Sequence, residues 1–255
     1  MPELHRLDKG VYGVTRLFHP AGDFGVNAGF LISQNKIIHV DASMTISDGE
    51  WLLSQSLEKA ITKPSKLLLI LTHHHSDHIF GIRVFKEAGA KIIAHEKTKS
   101  FLAFRTPPLF RRILDTYKPF ILKRMVKSMD YSKKEAEKIL GDVKLFLPDE
   151  TFKEDREMDF GNGILHLIYT PGHVPTEISV YHSTSKTLFA GDTVYEGMPL
   201  TTRFGGPKQW KQWIKSLEKL QQLEIKNIVP GHGKICGKEE IQRNIEYLEN
   251  LLREH

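Results

Sequence analysis

Residues 67–78, LLLILTHHHSDH, constrain this chain more than any other stretch. Leu67 to Leu71 are five aliphatic residues in a row, so 67–71 is expected to form a strand with no solvent-facing side. Past Thr72 the chain meets His73, His75, Asp77 and His78, four potential metal ligands within six residues. His73 and His75 stand two apart, and in extended backbone such side chains share a side. Asp77 suits the N-cap of a helix expected over 78–88, with Gly89 ending it. One strand end and one helix start can thus aim four ligands into one cavity. His74, between two of them, faces the other way and is expected to pack or to support the site without binding metal.

A chain of 255 residues can bury one sizeable core or two small ones. Its 40% hydrophobic and 26% charged content is that of an ordinary soluble domain. MPELHRLDKG at the start lacks the basic and then apolar pattern of a secretory leader. No apolar run approaches a membrane span, and a lone cysteine, Cys236, excludes an internal disulfide framework and reads as a small hydrophobe. The expected compartment is the cytoplasm. The formal net charge of +5 is uneven: residues 97–144 hold 13 Lys/Arg against 5 Asp/Glu.

Strands are expected at 11–18, 28–33, 36–41 and 91–94. A helix is expected from Ser47, with a capping-box spacing to Glu50, to about Ala60, turning Trp51, Leu52 and Leu57 inward. This alternation means an α/β domain, here a single domain over 1–255. Residues 97–144 break the rhythm. Phe101, Phe104, Phe110 and Phe120 interleave with Arg105, Arg111, Arg112 and Arg124, Pro107-Pro108 splits the run, and 132–141 reads as a capped helix. A basic helical insertion is expected, acting as a packed amphipathic pair, a lid over the substrate, a homodimer contact, or a docking surface for nucleic acid or membrane. Further strands fall at 164–169, 178–182, 187–190 and 227–229. Helices fall from Pro207 to about Leu223, with Trp210, Trp213 and Leu217 as core, and over 238–253.

Three of those strands run into ligand-bearing turns: Thr170-Pro171-Gly172-His173, Gly191-Asp192 and Pro230-Gly231-His232-Gly233. Function in open α/β sheets gathers beyond strand ends. THHHSDH, TPGHVP, AGDT and PGHG, in this order, resemble the metallo-β-lactamase superfamily over nearly the whole chain apart from the insertion. The resemblance implies an αβ/βα four-layer sandwich with metals at one edge. By motif position, His73, His75 and His173 would bind one metal, Asp77, His78 and His232 a second, and Asp192 would bridge. Asp41, at a strand end, would support the site from behind.

Imidazole and carboxylate suit two Zn²⁺, with Fe or Mn as alternatives. Two ions about 3.5–4 Å apart can share a water, and such binding lowers its pKa to roughly 7. The expected activity is a dinuclear zinc hydrolase whose bridging hydroxide attacks a small carbonyl substrate, an ester, thioester or lactone. Asp77 and Asp192 are the expected catalytic carboxylates. Tyr195, three residues past Asp192, matches a tyrosine of the lactone-hydrolysing branch that binds or polarises the carbonyl. TPGH and GDT equally resemble hydroxyacylglutathione hydrolases. The competing readings are a mononuclear-iron persulfide dioxygenase and a phosphodiesterase or nuclease using the basic insertion. No appended RNA-binding motif accompanies that insertion, so the expected partner is a small molecule and not nucleic acid.

Overall fold

The period of two in the central strands decides how the layers stack. In β5 (Lys66–Ile70), Leu67 and Leu69 join one apolar cluster while Leu68 and Ile70 join another; in β6 (Lys91–His95), Ile92 and Ile93 divide the same way. Both faces of these strands are therefore covered, as strands in the parallel part of a sheet require. The computed structural model describes residues 1–19, 24–105, 126–127, 132–134, 136–137 and 143–255.

The first sheet runs in chain order: β1 (Glu3–Asp8), β2 (Val11–Leu17), β3 (Val26–Ser33), β4 (Lys36–Val40), β5, β6 and β7 (Glu150–Phe152). It is antiparallel from β1 to β4 and parallel from β4 to β7. The second holds β8 (Arg156–Asp159), β9 (Ile164–Tyr169), β10 (Ile178–His182), β11 (Thr187–Tyr195) and β12 (Asn227–His232), ordered β12-β11-β10-β9-β8. Only β11 and β12 are parallel in it. Leu31, Ile38 and Ile70 of the first sheet meet Leu165, Val180 and Phe189 of the second in the central core.

Each sheet's outer face takes helices. α1 (Ile46–Lys59), α3 (Ile82–Glu87) and α4 (Glu96–Arg105) bury Leu52, Phe85 and Leu102 against the first. α5 (Pro207–Gln221) and α6 (Glu239–Glu254) bury Trp213, Leu217, Ile241 and Leu248 against the second. Each such side chain contributes roughly 1.5–3 kcal/mol. The result is the expected αβ/βα sandwich.

Several local expectations change. α1 is capped by Thr45, whose hydroxyl accepts the Asp48 N–H at 3.0 Å, and not by Ser47. Leu57, expected to face inward, lies on the outside, 44% exposed, because the inward stripe runs through Leu52 and Ser56. The helix expected over 78–88 is two pieces, α2 (Ser76–Ile79) and α3, with His75 and not Asp77 at the first N-cap position. The break has a cause: Gly81 N–H bonds the Ser43 carbonyl at 3.0 Å, and Ala42 N–H bonds the His78 carbonyl at 2.8 Å. A Cβ on Gly81 would lie 2.0 Å from the Ala42 oxygen. The loop after β4 thus wedges against the helix start. β1, β7 and β8 were not expected. The insertion begins as α4, but most of 97–144 (106–125, 128–131, 135 and 138–142), including the helix expected over 132–141, lies outside the described residues.

Candidate metal centre

Both sheets end at one place, and each brings part of the cluster. From the first, the turn after β5 carries His73 and His75, and α2 carries Asp77 and His78. From the second, the β9–β10 loop carries His173, while Asp192 and His232 lie within β11 and at the end of β12. β11 does not stop at Ala190 as expected: it continues through Tyr195, with irregular register against β12 around Gly191. Gly191 sits at φ +53, and a Cβ there would meet Glu177 Oε1 at 2.5 Å.

Two groups of ligand atoms form, each with its atoms within 4.8 Å of one another: His73, His75, His173 and Asp192, and then Asp77, His78 and His232. His75 Nδ1 and His173 Nε2 are 3.0 Å apart, and His173 Nε2 is 3.1 Å from Asp192 Oδ2. Across the second group, His78 Nε2 and His232 Nε2 lie 3.6 and 3.3 Å from Asp77 Oδ2. The same two nitrogens lie 3.1 and 3.4 Å from Asp192 Oδ1, so one carboxylate reaches both groups. All seven residues singled out in the sequence are brought together.

These spacings fit a metal. Two ligand atoms each about 2.0–2.1 Å from a tetrahedral zinc stand roughly 3.3 Å apart. Moreover, His73 Nε2, His78 Nε2 and Asp192 Oδ1 are buried with no hydrogen bond. Polar atoms stripped of water and left without a hydrogen bond are costly, and such atoms converging on one space are what a cation would satisfy once it displaces their protons. The remaining imidazole nitrogens are held from behind, as bound imidazoles generally are. His78 Nδ1 donates to Asp41 Oδ2 at 2.8 Å and His232 Nδ1 to the Gly25 carbonyl at 2.6 Å. Asp41 also accepts the Thr72 N–H and hydroxyl at 2.8 and 2.7 Å, which pins the start of the ligand turn.

Charge shapes the proton inventory. Burial would raise Asp192 and Asp77, but the histidines around them hold both carboxyls well below their usual range. Burial would lower His78, yet Asp41, Asp77 and Asp192 drive it well above normal. His232 is likewise pushed up to about 10, chiefly by Asp192 working against burial. His73 and His75, desolvated and beside other imidazoles, fall well below normal and to about 3.

Four side chains complete the surroundings. Glu177, wholly buried, accepts the Asp192 N–H at 3.1 Å and puts Oε1 3.4 Å from His73 Nδ1. The sequence reading passed over it, since a single Glu after TPGHVPT carries no pattern. It passed over His19 as well, whose Nε2 is 3.5 Å from Asp77 Oδ2. Tyr195 donates its hydroxyl to Asp192 Oδ2 at 2.5 Å and stacks on His232, with ring centroids 5.3 Å apart. His74 stays out of both metal groups, as expected; its Nδ1 is 2.7 Å from Thr176 Oγ1 and its ring lies against Phe101. Cys236 is half-buried against the α5–α6 core, as a small hydrophobe would be, and burial raises its thiol.

Residues 21–232 match the family model described as the metallo-beta-lactamase superfamily. This chain belongs to that superfamily. Among its relatives, the probable metallo-hydrolase YqgX of Bacillus subtilis (strain 168) is 26% identical over 84% of this chain and 88% of its own length. A hydroxyacylglutathione hydrolase of Bartonella henselae is 25% identical over 75% of this chain and 56% of its own. Among solved structures, a metallo-beta-lactamase from Pontibacter korlensis superposes with a TM-score of 0.69 over 98% of this chain and all of that one, at 19% identity. At that identity the likeness concerns the sandwich alone. Among the described residues no helix is long and apolar enough to cross a membrane.

Proposed function

We propose that this metallo-β-lactamase superfamily member is a dinuclear zinc hydrolase of a small ester, thioester or lactone. The observation that carries the reading is Asp192, whose two oxygens stand within 3.1 Å of ligand nitrogens from both groups. In this reading His73, His75 and His173 hold one ion and Asp77, His78 and His232 the other, with Asp192 between. Bound there, zinc would supply an activated water at neutral pH and polarise a carbonyl oxygen.

The chain's own part is arrangement. Asp41 and the Gly25 carbonyl fix which nitrogen of His78 and His232 faces the site. Tyr195, with burial and the Asp192 charge both raising its hydroxyl, keeps its proton and orients the carboxylate through that hydrogen bond. Its ring also lines the cavity beside the ligands, where it can meet a substrate carbonyl. No serine or cysteine nucleophile is required.

The test is metal analysis of purified protein, followed by a panel of esters, thioesters, lactones, β-lactams and phosphodiesters on the zinc-loaded chain. About two zinc ions per chain and turnover of a carbonyl substrate are expected. A single iron, with oxygen uptake on glutathione persulfide, would replace this reading with the dioxygenase one.

A further inference from the structure

A cavity of about 850 Å³ opens beside the metal centre, large enough for a ligand well beyond a simple ester. Its walls are mostly apolar: Phe80, Phe101, Leu102, Leu145, Val174 and Phe204 all contribute. Phe204 is 46% exposed although its ring sits 4.4 Å from that of His75, so a large apolar surface stands open next to a ligand. α4 lends Lys97, Ser100 and Phe101 to the cavity, positions that share one helix face.

Charge on the lining is one-sided. Apart from Asp77 and Asp192, which belong to the metal groups, no carboxylate lines the cavity among the described residues, whereas Lys97 and Arg203 do. Neither is in a salt bridge among the described residues. Lys97 leans on the Tyr169 ring and donates to its hydroxyl at 2.6 Å, and the Arg203 guanidinium lies 4.8 Å from the Phe204 ring centre. Both cations are thus carried on aromatic rings, with donor capacity left for an anion.

We propose that the cavity takes an anionic amphiphile, an acyl substrate whose apolar chain lies along the Phe101 and Phe204 walls and whose negative group reaches Lys97 and Arg203. The assignment rests on the hydrolase reading and narrows its substrate class. Hydrolysis adds water across the ester or thioester bond and releases a carboxylic acid with an alcohol or thiol, so no oxidant or reductant is needed.

Calorimetric titration of the zinc-loaded chain with hexyl, octyl and decyl phosphate tests it, with decanol and inorganic phosphate as half-ligands. Affinity should rise by up to about fourfold per methylene, and decyl phosphate should exceed both half-ligands. The double variant Lys97→Ala with Arg203→Ala should weaken decyl phosphate roughly tenfold or more while sparing decanol. Phe204→Ser should weaken both. Equal affinity along the series, or a double variant that binds decyl phosphate as before, overturns the proposal. Turnover of 4-nitrophenyl esters from acetate to dodecanoate separates the two readings. Hydrolysis indifferent to chain length sinks the amphiphile and keeps the hydrolase. Binding that follows chain and charge, with no ester turned over, does the reverse.

Discussion

A Cβ on Gly231 would lie 2.0 Å from Asp192 Oδ1, so the glycine beside His232 is what lets β12 come close enough to share the cluster. Gly231→Ala should accordingly cut bound metal more than it cuts folding, read by metal content against thermal midpoint. Asp192→Ala removes the one carboxylate that, among the described residues, reaches both groups, and should abolish nearly all turnover and lose one ion. His74→Ala, outside both groups, should leave metal content unchanged. Glu177 gives a finer test. It holds the Asp192 backbone and sits beside His73 Nδ1, so Glu177→Gln should weaken metal about 10- to 100-fold, measured by chelator competition, with restoration in Glu177→Asp not expected because the shorter side chain withdraws from both partners. The seven candidate ligands were legible in the sequence because each sits in a short motif with its own strand and turn. Glu177 and His19 were not, because what gives them meaning is proximity across the fold: Glu177 lies 104 positions from His73, and His19 lies 58 from Asp77.

At the level of elements, the long strands and amphipathic helices were readable because their periodicity is imposed by burial. β9 and β10 have the bounds that their apolar pattern suggested. The three-residue β7 and the polar β8 (REMD) have no such pattern; they are edge additions that pairing with β6 and β9 creates. The split between α2 and α3 was likewise invisible, since the wedge comes from Ser43 and Ala42, far upstream. One contact between elements positions the site directly. Asn244 of α6 accepts the Tyr195 N–H and donates to the Tyr195 carbonyl, both at 2.9 Å, tying the helix to the end of β11. Asn244→Ala leaves two buried backbone groups unpaired and should cost about 1–3 kcal/mol. Because it loosens the strand end bearing Tyr195, it should also lower turnover, whereas a surface change such as Gln221→Ala should not. Denaturant unfolding and rate measurements on the same samples would separate the two effects.

For the molecule as a whole, the cluster is the place where the two halves of the sandwich are joined by charge. His73, His75, Asp77 and His78 belong to the first sheet's side, and His173, Asp192 and His232 to the second. Metal bound across them binds the native state and no comparable unfolded one, so it should stabilise by about 2.7 kcal/mol at a hundredfold excess over its dissociation constant. For a chain of this size that is a rise of roughly 5–10 °C in thermal midpoint. Protons compete for the same site. In the metal-free chain the surrounding carboxylates push His232 up to about 10 and raise His78 well above normal, so metal uptake must displace protons from its ligands. The raised His232 supports the metal-free fold fully below pH 6.5 and loses that support as pH climbs through about 10. Metal affinity runs the other way, gaining as protons become scarce. The midpoint gained from a fixed zinc excess should therefore be larger at pH 8 than at pH 6. Calorimetric titration in buffers of different ionisation enthalpy counts the released protons directly. A midpoint gain that does not change with pH, together with no proton release, would mean that the cation binds somewhere other than these histidines.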